Sequence, residues 1–294
     1  MNELDKLFRE IESIKENAMD LVQGTFPKNI YSKLDIPTMT LDNTSYVDVK
    51  LQEYYSDLVY NCKLKSSGDV KITILFEHKS YKPANEYLQL LRYMLNIWTI
   101  QENNKEKLTL ILPVIFYHGA TKWERKYFLE YFDDIDDPDL QQFIPVIEYI
   151  LTDITKYSDE LINDQIFKRE FNKALAILFK YIHNDVKLEG KLPEIFEHLN
   201  MYIEDEKINL LVVSFVTYIM ELTEIEATII QNIVSSKSIK GGEIVMTTAM
   251  KLRTEGKTEE ANEAARRMLA DNLSVEKISK YTGLSIEEIR KLSK

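Results

Sequence analysis

Cysteine is almost absent from this sequence, with Cys62 the single example. One thiol cannot build an internal disulfide framework, and the usage fits a reducing, cytoplasmic setting. Histidine is also scarce, four residues scattered along the chain, which argues against a structural zinc site. No apolar run approaches membrane-spanning length, and the polar, helical N-terminal stretch does not read as a signal peptide. The eight glycines form no phosphate-binding loop. No internal repeat and no nucleophilic Ser/Cys–His set is found. Basic residues are in deficit, 37 Lys and Arg against 48 Asp and Glu, for a formal net charge of −11. A chain this acidic is a poor nonspecific ligand for nucleic acid as a whole.

What is present is ordinary globular composition, 45% hydrophobic and 29% charged over 294 residues. That length buries a sizeable core and suggests one large domain with an appendage, or two domains. The charge is unevenly spread. Residues 61–130 hold 11 Lys/Arg against 7 Asp/Glu, whereas residues 131–170 hold 3 against 11, much of it in Asp133-Asp134-Ile135-Asp136-Asp137. The basic section contains the stretch richest in chemistry.

That stretch runs from Tyr54 to Lys79, with two β-rich runs around Ser66-Ser67-Gly68. A tight loop ending on Gly suits a three-residue hairpin whose last residue is left-handed. It predicts Lys65 opposite Asp69, Leu64 opposite Val70 and Asp57 opposite Glu77. Side chains alternate across a strand, so Leu58, Tyr60, Cys62 and Leu64 share one apolar face with Val70, Ile72, Ile74 and Phe76. Cys62 then reads as a small buried hydrophobe. The other face gathers Asp57, Glu77 and Lys79 at one end.

Two carboxylates offer hard oxygen ligands to Mg²⁺ or Mn²⁺, cations that keep waters and bridge to phosphate oxygens. An amine beside them could orient or help deprotonate an attacking water. Glu-x-Lys is also a common surface ion pair on exposed strands, and the local pattern alone does not decide between the two.

The wider arrangement resembles a known family. An Asp, a hairpin and then Glu-x-Lys is similar to the active-site pattern of the PD-(D/E)XK nuclease fold. Six stretches resemble one branch of it, the recombination-promoting nuclease (Rpn) family, also called YhgA-like or putative transposases: Asp5-Lys6-Leu7-Phe8-Arg9-Glu10, Ser45-Tyr46-Val47-Asp48, Tyr55-Ser56-Asp57-Leu58-Val59-Tyr60, Phe76-Glu77-His78-Lys79-Ser80, Leu90-Leu91-Arg92-Tyr93-Met94 and Phe116-Tyr117-His118-Gly119. They occur in the expected order over roughly residues 4–155. The family often carries a His before the first Asp, where this chain has Leu4. The resemblance implies DNA hydrolysis with Mg²⁺ or Mn²⁺ held by Asp57, Glu77 and the backbone carbonyl of His78, with Lys79 orienting water. It also implies a role in recombination or mobile DNA.

The rest of the chain is read around that site. Residues 3–22 carry an amphipathic pattern through Leu4, Leu7, Phe8, Ile11 and Ile14. Asp5 or Glu12 could reach the site from this helix, the alternative being a solvated face. Pro83 opens a helix to about Gln101 with Leu88, Leu91, Leu95 and Trp98 as its buried stripe. Gln89 and Arg92 share a face at i and i+3. The resemblance implies that this helix packs beside the site, where both could touch phosphate or support the carboxylates, with a structural ion pair the alternative for Arg92. Leu108–Tyr117 reads as a buried central strand kinked at Pro113, and Phe143–Ile154 as a last strand. From about Asp159 the pattern is helical, with Asn209–Ile233 strongly apolar. Ser235–Gly242 reads as a linker. A charged tail broken at Gly256, Asn272 and Gly283 follows, and its last part resembles a helix-turn-helix. The acidic start of its second helix, Glu287 and Glu288, favours a helical hairpin for self-association or partner contact over DNA reading.

The expected architecture is α/β: a PD-(D/E)XK nuclease-like mixed sheet flanked by helices over residues 1–157, a helical region over 158–240 and a helical tail over 241–294. The expected activity is a cytoplasmic Mg²⁺-dependent endodeoxyribonuclease. The alternative is a catalytically silent nuclease-fold protein acting through partners in regulation or antiphage defence. A DNA-binding regulator using the tail alone is a third class.

Overall fold

A computed structural model of the chain describes residues 3–42, 58–66, 68–77, 85–120, 122–132, 135–203 and 209–292. The chain divides into two compact units, Met1–Glu224 and Ile225–Lys294. No helix among the described residues is long and apolar enough to cross a membrane.

The first unit is built on a five-stranded sheet, β1 (Leu34–Leu41), β2 (Leu58–Leu64), β3 (Asp69–Glu77), β4 (Leu110–Tyr117) and β5 (Ile150–Asp153), in that spatial order. β1–β2 and β2–β3 are antiparallel, and β3–β4 and β4–β5 parallel, so the sheet is mixed as expected. Helices cover it: α1 (Glu3–Glu12), α2 (Lys15–Thr25), α3 (Lys28–Tyr31), α4 (Glu86–Asn103), α5 (Pro138–Gln141), α6 (Asp159–Leu161), α7 (Glu170–Tyr181), α8 (Asp185–Asn200) and α9 (Asn209–Leu222).

The β2–β3 hairpin departs from its expected register by two residues. Lys63, not Lys65, stands opposite Asp69, and Cys62 opposite Val70. The reason lies outside the hairpin. Lys65 N donates to Lys33 O at 2.9 Å and Lys65 Nζ to Ser32 O at 3.1 Å, so the α3–β1 turn claims the residues that would have extended the ladder. The loop closes instead through Leu64 N to Gly68 O at 3.0 Å, with Gly68 left-handed at φ 94°. A displacement of two preserves the alternation, and Leu58, Tyr60, Cys62, Val70 and Ile72 are all buried on one face. Burial pushes the Cys62 thiol up, as befits an apolar site.

On that face three rings join α1, β4 and α7: Phe8 lies 5.1 Å from Phe116 and 6.4 Å from Phe179, and Phe116 lies 6.3 Å from Phe179. The opposite face is covered too. α4 sets Tyr93 and Ile97 on Val59 and Ile111, and Tyr87 and Leu90 on Ile115 and Tyr117. The buried stripe of α4 is therefore Tyr87, Leu90, Tyr93, Ile97 and Gln101, one residue round from the expected set, and Leu88 and Leu95 are exposed. α4 is apolar on most sides, so helical spacing alone fits several stripes, and the aromatic rings select the one used. Toward the hairpin end of this face Lys71 is buried, paired with Asp42 at 2.5 Å and Asn61 Oδ1 at 2.7 Å.

The expected N-terminal helix is two helices, broken at Ser13-Ile14. Asn17 Nδ2 donates to Ile11 O at 3.0 Å across the break. From α2, the Asp20 carboxylate accepts Lys168 N (3.0 Å), Arg169 N (3.0 Å) and Asn172 Nδ2 (3.1 Å), satisfying backbone donors at the start of α7. Glu12, the last residue of α1, is fully buried and not on a solvated face. Its carboxylate oxygens have no hydrogen-bond partner among the described residues. Burial, and then the Asp20 charge, raise its acid well above the ordinary value.

Elsewhere the departures are local. Pro113 stays in register opposite Thr73 without a break in the ladder. The last strand is only Ile150–Asp153, since Phe143–Tyr149 pair with nothing in the sheet.

The second unit holds α10 (Ala227–Ser235), α11 (Ile239–Ala270), α12 (Val275–Thr282) and α13 (Ile286–Leu292). The expected linker is shorter than read: Ser236–Ser238 turn between α10 and α11, Ser238 caps α11 by accepting Gly241 N at 3.1 Å, and both Gly241 and Gly242 lie in its first turn. A Cβ on Gly242 would fall 2.1 Å from Ser235 Oγ, so the glycine permits close α10–α11 packing. Gly256 does not interrupt α11, whereas Asn272 (φ 60°) and Gly283 (φ 75°) end helices in the left-handed region. Ala265, Ile278, Leu284 and Ile289 form the core of α11–α13. Glu288 Oε2 accepts Ser285 N at 2.8 Å, so this acidic residue serves as a helix cap.

Two stability predictions follow from these contacts. Leucine at position 12 removes a buried carboxyl that has no partner among the described residues and whose burial costs about 1–3 kcal/mol. The folded acid is raised, so a further penalty linked to its ionisation is absent below its unfolded value and grows as pH rises above it. Glu12→Leu should raise the melting temperature by several degrees, more at pH 8 than at pH 4. A lower Tm at both would mean the carboxyl has a partner. Asp20→Ala should lower stability by about 2–4 kcal/mol in urea melts, because it strands the backbone amides of Lys168 and Arg169 and removes one of two bonds from Asn172 Nδ2.

Candidate functional site

The three parallel strands end level. Glu77 stands in register with Tyr117, and Tyr117 with Asp153, so the C-termini of β3, β4 and β5 form one row. Open α/β sheets present functional groups outside the carboxyl ends of their strands, which is where Glu77 closes β3. Of the expected site residues, Asp57, His78 and Lys79 lie outside the described residues, and Glu77 is placed by its backbone alone. The expected pairing of Asp57 with Glu77 belonged to the register that β2–β3 does not adopt, since Leu58 stands opposite Ile74, so their mutual approach is an expectation of the family resemblance and not of the observed ladder. Among the described residues no group of three or more His, Cys, Asp or Glu is arranged to hold a metal.

The surroundings of this row are well fixed. Tyr117 is buried edge-on to Trp123, ring centroids 4.9 Å apart. Asp153 could be mistaken for a ligand by position, yet its carboxylate is committed. It accepts Trp123 N at 3.0 Å, Thr155 N at 3.1 Å and Thr155 Oγ1 at 2.6 Å, with Lys156 Nζ at 3.4 Å. Asp153 therefore ties the loop after β4 to the end of β5. His118, next in the chain after β4, is also structural. Its ring stacks on Phe179 at 4.7 Å, and its carbonyl faces His183 Nε2 at 3.1 Å.

The start of α4 forms the neighbouring wall. Asn85 Oδ1 accepts Leu88 N at 3.0 Å as the N-cap. Glu86, fully buried in the first turn, accepts the hydroxyls of Tyr131 (2.5 Å) and Tyr149 (3.2 Å). Burial and the Glu86 carboxylate push both phenols up, so they remain donors at any physiological pH. Tyr87 Oη adds a bond to Lys126 O at 2.8 Å. These bonds fix the register and pitch of α4, and with it the two expected supporting residues. Gln89 is half-buried and Arg92 is exposed, so the guanidinium stands where a phosphate could reach it.

Asp153 and Glu86 were not singled out from the sequence. The only sequence signal for Glu86 was its place after Asn85, an N-cap pattern. Asp153 gave none, because its role depends on a backbone amide thirty residues away.

Comparison with known proteins adds the following. A family model described as "Putative transposase, YhgA-like" matches residues 2–209. The recombination-promoting nuclease RpnA of Escherichia coli K12 is 27% identical over 291 residues, 97% of this chain and 95% of that protein. RpnD of Escherichia coli O157:H7, also named a recombination-promoting nuclease, is 27% identical over 180 residues, 60% of this chain and 67% of that one. The inactive recombination-promoting nuclease-like protein RpnE of Escherichia coli K12 is 28% identical over 181 residues, 61% of this chain and 58% of RpnE, so the match spans less than two thirds of that relative. No solved structure matches. The expected sequence stretches, the mixed sheet and a family match over most of the chain agree, and this protein belongs to the YhgA-like, Rpn family.

Proposed function

We propose that this chain is a metal-dependent DNA endonuclease linked to recombination or mobile DNA and working in the cytoplasm. The observation that carries the reading is Glu77. It ends a central parallel strand in a chain that aligns along nearly its whole length with a protein named a recombination-promoting nuclease. The oxygen donors Asp57 and Glu77, with the His78 carbonyl, would hold Mg²⁺ or Mn²⁺, a donor chemistry that suits a hard cation. When bound, such an ion supplies Lewis acidity toward a phosphodiester oxygen. Lys79 would orient the attacking water and offset charge gathering on the phosphate. Gln89 and Arg92, on α4 beside the row, would contact the DNA backbone, Arg92 through a guanidinium already in solvent.

A second reading has its own support. RpnE, of comparable similarity, is named inactive, so the scaffold also suits a silent protein acting through partners in regulation or antiphage defence. Nicking of supercoiled plasmid separates the two. Wild type should nick with Mg²⁺ and stop with EDTA. Glu77→Ala and Lys79→Ala should each lose on the order of a hundredfold or more in rate. Equal rates in wild type and variants would place the activity elsewhere, and an inert wild type would favour the silent reading.

Residues 243–294 should be dispensable for cleavage, because every proposed ligand precedes residue 80. Their place is proposed to be assembly, since Glu288 caps α13 and no basic face begins that helix. Deletion should lower the mass seen by light scattering while leaving the salt dependence of DNA binding unchanged. An unchanged mass with a reduced salt slope would instead assign DNA contact to the tail.

A further inference from the structure

The two edges of the sheet are not treated alike. β1 is interrupted: its register with β2 shifts between Asp35 and Thr40, around Pro37, and Thr38 Oγ1 rather than a strand carbonyl receives Lys63 N at 2.9 Å. Such a break blunts an edge against added strands. Among the described residues the other edge, β5, pairs with β4 alone. β5 is four residues long, and the chain leading into it, Pro145-Val146-Ile147-Glu148, makes no backbone hydrogen bond to any described residue. It is also bare of cover. Val146 is 93% exposed, Phe143 78% and Leu140 56%.

Two grooves flank this segment and meet at Glu148. One, about 440 Å³, lies on the α4 side, walled by Tyr127, Phe128, Ile144 and Ile147. The other, also about 440 Å³, lies toward the α2–α3 turn, walled by Pro27, Ile30, Leu112 and Leu151. A strand added to an edge sends alternate side chains to opposite faces, which is the way these grooves are disposed. The rim decides the kind of strand. Among the described residues Glu130, Asp137, Asp139 and Glu148 are exposed in or next in the chain to the wall of the first groove, and Arg125, the one basic residue of the two walls, is already engaged, paired with Glu148 and lying 4.5 Å over the Tyr149 ring. An acidic rim disfavours a second copy of the same acidic segment and disfavours nucleic acid.

We infer that the 145–151 edge is a docking site for an extended segment of a partner protein, one that alternates apolar side chains and carries Lys or Arg at its flanks. The partner supplies backbone hydrogen bonds to Val146–Glu148, drops apolar side chains into both grooves and sets its basic flanks against the acidic rim. This surface is separate from the proposed catalytic row and does not depend on the nuclease reading.

The test is selection of a random nine-residue peptide display library on the full-length protein, followed by fluorescence anisotropy with the selected peptides. Enriched peptides should alternate apolar residues and carry basic flanks. Their affinity should fall about tenfold or more on Val146→Pro, which removes an edge donor, and on Phe143→Glu, and also when a proline is placed mid-peptide at unchanged charge. Val146 is exposed and donates no backbone bond to a described residue, so the proline variant should melt as wild type does, and Val146→Lys serves if it does not. Acidic or patternless peptides, peptides that bind Val146→Pro as tightly as wild type, or no enrichment would overturn the inference. So would a wild-type dimer in light scattering that Val146→Pro converts to monomer, since the edge would then belong to a second copy.

Discussion

The parallel ladder between β3 and β4 is the constraint on which the first unit depends. It runs without a break from Val70–Leu110 to Glu77–Tyr117. Parallel strands must be joined by a crossover, and the crossover here is α4, which covers one face of the sheet while α1 and α7 cover the other. Burial on both faces permits no slip in register, and so the end of β3 cannot drift relative to the end of β4. Whatever chemistry Glu77 performs, its backbone is carried by an unbroken parallel ladder.

Around that ladder the protein spends its buried carboxylates on positioning. Asp20 closes the start of α7, Glu86 holds two tyrosines against the start of α4, and Asp153 gathers the loop after β4. Each accepts hydrogen bonds from groups far away in sequence, which links segments that the hydrophobic core alone would leave free to slide. Glu12 differs, a buried acid with no such partner among the described residues.

Much of the fold was legible because its signals are local. Alternation in Leu58–Leu64 and Asp69–Glu77 revealed the hairpin and its apolar face, and the apolar run before His118 revealed the central strand. What escaped was decided by contacts between distant segments. The hairpin is displaced by two because Lys65 bonds to Lys33, and α4 turns by one position because aromatic packing overrides a stripe that spacing fits equally well. Gly241 and Gly242 read as a linker because glycine usually disfavours helix, yet Ser238 caps the helix they begin and Ser235 leaves no room for a Cβ at Gly242. For the site, residue types and their order were readable, as was the strand end that holds Glu77. Arg92 was found in solvent and Gln89 half-buried, while the convergence of Asp57 with Glu77 rests on the family resemblance, the hairpin register expected for it having been displaced.

The central claim is that Asp57 and Glu77 together bind a divalent cation. Calorimetric titration of Mn²⁺ into the full-length protein, its Asp57→Ala variant and its Glu77→Ala variant tests it most directly. The account predicts saturable binding to wild type that each single substitution abolishes, with melting curves unchanged in the absence of metal. Binding of equal affinity in all three proteins would contradict it.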